Sequence, residues 1–278
     1  MKSRREFLMT SGGIALGALM LPYLGFGAKV KNVGLQLYTV KDAMLQDAKG
    51  TLKILADIGY KELESARSAK GNYYGLSPKE VKIICDDLDM TMRSGHVHID
   101  KDWQKSVDQA AEVGQEYLVC SSLPSQGQTI DNYKKVADTF TKAAEDCKKA
   151  GLKFGYHNHD YEFDKVDGKV LYDILLEESD PEIVLMELDL GWVIVTGNDP
   201  LDYFEKYPGR FPLWHLKDMK KEHPESTEFG KGQIDIKKMM QNAKKSGMKY
   251  FFVEQEEYAE NPIKSIKHNY NYLMKLDY

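Results

Sequence analysis

The 278-residue chain contains few cysteines, and none of them stands close to another. Cys85, Cys120 and Cys147 are widely spaced, and no CxxC motif occurs. An odd number of scattered cysteines argues against a disulfide framework and against a zinc knuckle. We therefore interpret all three as small, buried apolar residues.

The chain also lacks an excess of positive charge and a glycine-rich phosphate turn. Its formal net charge is −5, whereas nucleic-acid binders usually carry a basic field. The charge therefore argues against a nucleic-acid partner.

After the first apolar run the sequence continues Thr39-Val40-Lys41-Asp42, without a GxGxxG or GxxxxGK[ST] pattern. This weakens the case for a dinucleotide or nucleotide cofactor.

Long apolar runs are also missing, except at the N-terminus. Arg4 and Arg5 precede Phe7 and Leu8, and an uncharged stretch of apolar and small residues follows, which is the order of an export signal. The Arg-Arg-x-Phe-Leu core resembles the twin-arginine signal, so we predict an exported, periplasmic protein. Anchoring by an uncleaved signal is the alternative. We assign residues 1–28 to the signal and 29–278 to the folded domain.

From Val33 onward, short apolar runs alternate eight times with longer segments of helical period, which is the pattern of βα units around a parallel sheet. Glycines such as Gly59, Gly114 and Gly247 end several of the helical segments, where a left-handed residue closes a helix. The pattern predicts an α/β fold, a single-domain (β/α)8 TIM barrel, which commonly occupies about 250 residues. The predicted strands are Val33–Tyr38, Lys61–Ser65, Thr91–Ile99, Tyr117–Ser121, Lys153–His157, Val184–Leu190, Leu213–Leu216 and Tyr250–Glu254.

Ionisable side chains occur near the carboxyl ends of the last four predicted strands: His157 with His159, then Asp189, His215 and Glu254. In a parallel barrel these ends meet at one face, and charged groups in apolar strands are costly to bury unless they are paired. We predict that His157, Asp189, His215 and Glu254 bind one divalent cation, which could be Mn2+, Co2+, Zn2+ or Mg2+. His159 is the alternative to His157, because the two share strand parity. Taken singly, each acid could instead cap a helix.

Four motifs in this order resemble a known superfamily. The histidine-rich end of strand five, LDxG on strand six, HxKD on strand seven and VExE on strand eight are similar to the xylose isomerase-like sugar isomerases and epimerases, from Val33 to the end of the chain. The resemblance implies that Asp189, His215 and Glu254 bind a metal ion. His157 stands where the superfamily has a glutamate, and Trp192 where many epimerases have a histidine. The histidine-rich tract is closer to the inosose dehydratase and keto-sugar lyase branches.

The resemblance implies a divalent-metal-dependent sugar isomerase or epimerase that removes a proton next to a carbonyl through a metal-stabilised enediolate. Glu254 is the predicted base, and His157 and Lys217 are candidates for the second proton-transfer group, with His159 and Glu187 as further options. Elimination from a 3-keto glycoside by the same site is the alternative activity. A non-catalytic, exported sugar-binding protein is a third possibility. The apurinic endonuclease branch is disfavoured by the net charge and the export signal.

Further candidate residues concern the substrate, which is expected to be a small sugar or keto sugar. We predict sugar contacts from His98, His159, Glu64 and Trp192, although a structural role suits each of them as well. Export favours free or glycosidic sugars over sugar phosphates. The charged run from Lys217 to Glu225 is predicted to be a solvated loop over the barrel mouth. A homo-oligomer is left open.

Overall fold

A computed structural model of the chain describes residues 29–278. The predicted export segment, residues 1–28, lies outside the described residues. Within residues 29–278, no helix is both long enough and apolar enough to cross a membrane.

Eight parallel strands form a closed barrel, in which strands that follow one another in sequence are paired and the first strand pairs with the last. All eight predicted strands are present, with ends within two residues of the prediction, so the TIM barrel is confirmed. The strands are β1 (Gly34–Gln36), β2 (Glu62–Ala66), β3 (Thr91–Val97), β4 (Tyr117–Cys120), β5 (Lys153–His157), β6 (Val184–Asp189), β7 (Leu213–Leu216) and β8 (Tyr250–Val253).

Helices connect these strands. They are α1 (Lys41–Gln46), α2 (Ala48–Ile58), α3 (Pro78–Asp87), α4 (Trp103–Val113), α5 (Ile130–Lys149), α6 (Leu171–Glu178), α7 (Leu190–Val195), α8 (Pro200–Lys206), α9 (Ile236–Gln241), α10 (Ala243–Ser246) and α11 (Pro262–Met274). Gly114 and Gly247 follow α4 and α10 with φ angles of 84° and 86°, the left-handed conformation expected of a helix-closing glycine. The single helix predicted between β7 and β8 is divided into α9 and α10.

The main core lies between the barrel and its helices. On α5, Phe140 packs its ring 5.5 Å from that of Phe154 and 4.6 Å from that of Tyr156, both on β5. Burial of one such ring contributes about 1.5–3 kcal/mol. Cys147 on the same helix is buried, as are Cys85 and Cys120, and all three thiols are free, which confirms their interpretation as apolar residues.

The chain passes directly from β6 into α7, a helix that the sequence analysis did not predict. The side chain of Asp189, the last residue of β6, accepts a hydrogen bond from the backbone N–H of Trp192 at 2.8 Å. Such a cap satisfies one of the free N–H groups in the first turn of a helix. The strand therefore ends at Asp189 rather than at Leu190.

The segment after β7 differs from the solvated loop that we expected. Lys217 is fully buried, and Asp218–Met219 pairs in antiparallel fashion with Ser226–Thr227. Asp218 is also buried, because its carboxylate accepts hydrogen bonds from the backbone N–H groups of a following loop at Gly230, Gly232 and Ile234. The prediction of an exposed loop is wrong for 217–219, and exposure is confined to residues 220–224.

Candidate metal centre and sugar pocket

The register of the strands brings the polar ends of β5 to β8 together. His157 pairs with Glu187 across β5 and β6, and Asp189 pairs with His215 across β6 and β7. His215 also pairs with Phe252 on β8. Glu254 directly follows β8, and its Oε2 lies 2.8 Å from Nδ1 of His215. The four predicted metal ligands therefore meet at the carboxyl end of the barrel.

His157, Asp189, His215 and Glu254 are all buried, and each offers a ligand atom within 4.8 Å of the others, so the four side chains could hold one metal ion. Nδ1 of His215 lies 2.8 Å from Oε2 of Glu254 and 3.8 Å from Oδ2 of Asp189. Among residues 29–278, Nδ1 of His157 has no hydrogen-bond partner, and Oδ2 of Asp189 has none apart from its ion pair with Lys217 at 3.1 Å. Buried polar atoms without a partner are costly, and coordination of a cation would satisfy both.

The carboxylate of Asp189 has two distinct functions in the structure. Oδ1 caps α7 through the N–H of Trp192, as described above, and Oδ2 faces the cluster. Asp189 therefore does cap a helix, which was the alternative to metal binding. The cap uses Oδ1, and Oδ2 is the oxygen that faces the predicted metal ligands. The cap fixes the orientation of the second oxygen.

The geometry separates His157 from His159. Strand β5 ends at His157, so the alternation of faces does not continue to His159. The ring of His159 instead stacks on that of Tyr161, with centroids 5.4 Å apart, and its centroid lies 6.4 Å from that of Trp192. Of the two histidines, only His157 joins the metal-ligand groups.

A deeper layer of buried polar residues supports this cluster. Oε2 of Glu64 lies 2.6 Å from Nε2 of His215 and accepts a hydrogen bond from Gln36 at 2.8 Å. Oε2 of Glu187 lies 2.6 Å from Nε2 of His96. A histidine that binds a metal through one ring nitrogen usually donates the other N–H to a carboxylate. Glu64 is in the position to receive that hydrogen bond from His215.

Glu64 does not lie where the predicted sugar contact would require it. Its side chain is fully buried, and it does not line the cavity described below. Gln36 was not among the residues predicted from sequence, and Glu187 was considered only as a proton-transfer group. His96, His157, Glu187 and His215 form a second, overlapping group of ligand atoms. The available signal was strand parity, since Glu187 and Asp189 are two residues apart on β6.

Lys217 lies among carboxylates. Its ammonium nitrogen is 3.1 Å from Oδ2 of Asp189, 2.9 Å from Oε2 of Glu254 and 2.9 Å from Oε1 of Glu256. Burial alone would lower the pKa of Lys217, but these three acids raise it well above its usual value. Glu256 was not among the residues predicted from sequence, although the VExE motif places it two residues after Glu254.

The buried charges of the cluster do not balance. Among the described residues, Asp189 and Glu254 contact the ammonium of Lys217, whereas Glu64 and Glu187 contact His215. Burial alone would lower the pKa of His215, but the surrounding acids raise it well above its usual value, so four buried carboxyl groups face two cationic groups. Burial raises the pKa of Glu187 to about 7, and it also raises the pKa of Glu64 and of Asp189. A further cation would offset this excess of acid. The imidazole and carboxylate donors present suit a divalent metal ion of the transition series or Mg2+.

A cavity of about 260 Å³ opens above the cluster. His157 and Glu254 form part of its wall, so the predicted base is accessible from it. The cavity is also lined by three of the four predicted sugar contacts, which are His98, His159 and Trp192. Nζ of Lys217 lies 4.8 Å from the centre of the Trp192 ring, beneath this wall.

Residues 52–276 match the model of the family described as xylose isomerase-like TIM barrel. The chain belongs to this family. Members share the barrel, and the conclusion agrees with the motifs on β5 to β8.

Two groups of similar proteins were found. A sugar phosphate isomerase/epimerase from Parabacteroides distasonis ATCC 8503 superposes with a TM-score of 0.80 at 28% identity, covering 89% of this chain and 99% of that one. Inosose dehydratases from Lacticaseibacillus casei and Geobacillus kaustophilus are 24% identical over 155 residues and 26% identical over 195 residues. These matches cover 49% and 61% of this chain, and 51% and 61% of the length of the dehydratases.

Proposed function

We propose that this protein is a divalent-metal-dependent sugar isomerase or epimerase that removes a proton from the carbon next to a carbonyl group. The observation that carries the proposal is the convergence of His157, Asp189, His215 and Glu254 beneath a polar cavity. The family, and the activities named for the similar proteins, support this assignment.

His157, Asp189, His215 and Glu254 would hold the metal ion, which when bound supplies Lewis-acid polarisation of a sugar carbonyl. Glu254 is the carboxylate that both belongs to the metal-ligand group and lines the cavity, so its role is to accept the proton from the carbon. Lys217 holds that carboxylate in place and carries the compensating charge. His159 lies on the cavity wall and is available to return a proton to the substrate.

Elimination of a hydroxyl or glycosyl group from a keto sugar is the second candidate activity, and the residue on β5 favours it. An epimerase needs a proton-transfer group on each face of the substrate, whereas elimination needs one base at the carbon and one acid at the leaving group. His157 occupies the β5 position, so Glu254 is the one carboxylate of the four metal-ligand residues on the cavity wall. Glu256, the other carboxylate on that wall, pairs with Lys217 at 2.9 Å. The curated relatives named above are dehydratases, which perform an elimination.

The test is NMR-detected exchange of substrate protons with D2O by the metal-loaded protein, over a panel of keto sugars and 3-keto glycosides. Exchange with formation of an epimer or isomer supports the first activity, and loss of a hydroxyl or glycosyl group supports the second. Glu254→Gln should abolish exchange. Glu260→Gln, which changes an exposed acid beyond β8, is the matched control. Sugar binding without exchange, with metal present, would overturn both and leave a binding protein.

We also propose that the protein is exported by the twin-arginine route to the periplasm. The proposal rests on the Arg4-Arg5 pair and the apolar stretch that follows it. Cell fractionation of the full chain and of Arg4→Lys/Arg5→Lys tests it. Retention of the double variant in the cytoplasm is expected, while equal distribution of both proteins would contradict export by this route.

A further inference from the structure

A second cavity adjoins the sugar pocket. It has a volume of about 270 Å³, and it shares Arg67 and His98 with the pocket above the metal ligands. Arg67 directly follows β2 and His98 directly follows β3, so both cavities open at the carboxyl end of the barrel. The side chain of Arg67 is 43% exposed, which leaves the boundary between the two openings accessible to a ligand.

The second cavity is built by ordered polar contacts between the loop after β2 and helix α4. Nδ2 of Asn72 donates hydrogen bonds to Oγ of Ser106 at 3.2 Å and to Oε1 of Gln109 at 3.3 Å. Arg67 donates to Asp100 at 2.7 Å and so joins the loops after β2 and β3. These contacts fix the relative position of the two loops before any ligand binds.

The lining of this cavity is mixed in charge and rich in neutral polar groups. Asn72, Ser106 and Gln109 offer amide and hydroxyl groups. The charged side chains of the lining are of both signs: Asp100 and Asp102, and Arg67, Lys70 and Lys105. Such a mixture of donors and acceptors matches the hydroxyl groups of a sugar ring, each of which both donates and accepts.

We propose that the second cavity binds a second sugar unit, so that the substrate is a disaccharide or a longer glycoside whose reacting ring occupies the pocket above the metal ligands. The inference rests on the proposed function for the identity of the reacting ring. Each cavity alone is smaller than the roughly 300–1,000 Å³ of pockets for drug-sized ligands. Two adjoining cavities of nearly equal volume therefore fit two similar units joined by one linkage.

The experiment compares binding of cellobiose, maltose, glucose and glucose 6-phosphate to the metal-loaded protein by titration calorimetry and saturation-transfer NMR. We expect the disaccharides to bind about tenfold more tightly than glucose, the effect of roughly two additional hydrogen bonds. The variant Lys105→Ala/Gln109→Ala should lose this advantage and keep its affinity for glucose. Lys101→Ala/Gln104→Ala removes the same residue types near the start of α4, outside the cavity lining, and should behave as wild type.

Equal affinity for glucose and the disaccharides would overturn the proposal. The proposal would also be overturned if Lys105→Ala/Gln109→Ala lowered the affinities for glucose and cellobiose to the same extent, or if it lowered only the affinity for glucose 6-phosphate. Thermal unfolding of each variant separates loss of the cavity from loss of the fold. These affinities are measured without turnover. The exchange experiment can therefore contradict the proposed activity while the affinities confirm the second sugar site. Equally, the exchange experiment can support the activity while the affinities contradict the second site.

Discussion

The ammonium nitrogen of Lys217 lies 2.9 Å from Oε2 of Glu254, and both side chains are buried. The same carboxylate oxygen lies 2.8 Å from Nδ1 of His215. One oxygen atom therefore contacts a buried positive charge and a predicted metal ligand, and it belongs to the residue that we propose as the base. Its position depends on both contacts.

Replacing Lys217 by methionine should lower kcat by about 100-fold or more, because the proposed base Glu254 loses the ammonium that holds it in place and such a base contributes about 100–10,000-fold. It should also destabilise the protein by about 3–5 kcal/mol when metal is removed, because two buried carboxylates lose their partner. Added metal should restore part of this stability. Steady-state kinetics and thermal unfolding with and without chelator measure the two effects.

The matched control for that variant is Lys220→Met, which removes an exposed lysine three residues later that pairs with Glu225 at 2.7 Å. It should leave both measurements unchanged. Full activity of Lys217→Met, with normal metal content, would show that Lys217 has no part in the reaction.

Asp189→Asn separates helix capping from metal binding. Asparagine caps helices as well as aspartate does, so the cap on α7 should be retained. Any fall in the melting temperature of the metal-free protein then reports the lost ion pair with Lys217 at 3.1 Å. Loss of the charged oxygen should weaken metal affinity by more than the roughly 10–100-fold typical of outer hydrogen-bond partners. Asp189→Ala should add a capping loss of about 1 kcal/mol. Metal analysis and competition with a chelator are the measurements, and unchanged affinity in Asp189→Asn would remove Asp189 from the ligand set.

Glu64→Gln tests the deeper layer. Because Glu64 contacts His215 and does not line the sugar pocket, we expect metal affinity to fall about 10–100-fold while KM at saturating metal stays constant. Metal titrations and kinetics on the same preparation distinguish the two quantities. A raised KM with unchanged metal affinity would instead support the sugar contact predicted from sequence.

Glu162 should make stability depend on pH. Its carboxyl group accepts hydrogen bonds from Tyr156 and from the backbone N–H of His159, and burial raises its pKa to about 7. The folded state therefore favours the protonated acid over the ionised one. The stability from this group is complete below the unfolded pKa of about 4.3 and is lost as pH rises to about 7.

The shift corresponds to a loss of roughly 3 kcal/mol across that window. Glu162→Gln cannot ionise, so its free energy of unfolding should depend less steeply on pH between 5 and 7.5. Urea unfolding at several pH values measures this slope. Identical slopes for wild type and variant would show that Glu162 does not titrate in that range.

The residues of the predicted ligand set were accessible from sequence because each stands at the end of an apolar run. Asp189, His215 and Glu254 interrupt patterns that otherwise specify buried strands, and the barrel brings such ends to one face. The choice between His157 and His159 was not accessible, because it depends on where β5 ends. That end is set by contacts beyond the strand, including the hydrogen bond from the N–H of His159 to Glu162.

Depth within the barrel was hidden for the same reason. Glu187 and Asp189 have the same parity on β6, so both point into the barrel. The neighbouring sequence does not show which of the two lies deeper. The register decides it, since His157 pairs with Glu187 whereas His215 pairs with Asp189. Glu64 and Gln36 belong to the deeper layer because β1 and β2 close the barrel beside β8.

Local pattern was therefore sufficient for the eight βα units, the helix-closing glycines and the residue types of the candidate metal centre, because periodicity and turn chemistry act over a few neighbouring residues. Closure of the barrel decided which side chains meet, which of them are covered, and that a second cavity lies beside the first. Those outcomes depend on contacts between residues far apart in the chain, such as Glu64 and His215. No short stretch of sequence contains both partners, so local patterns cannot predict the contact.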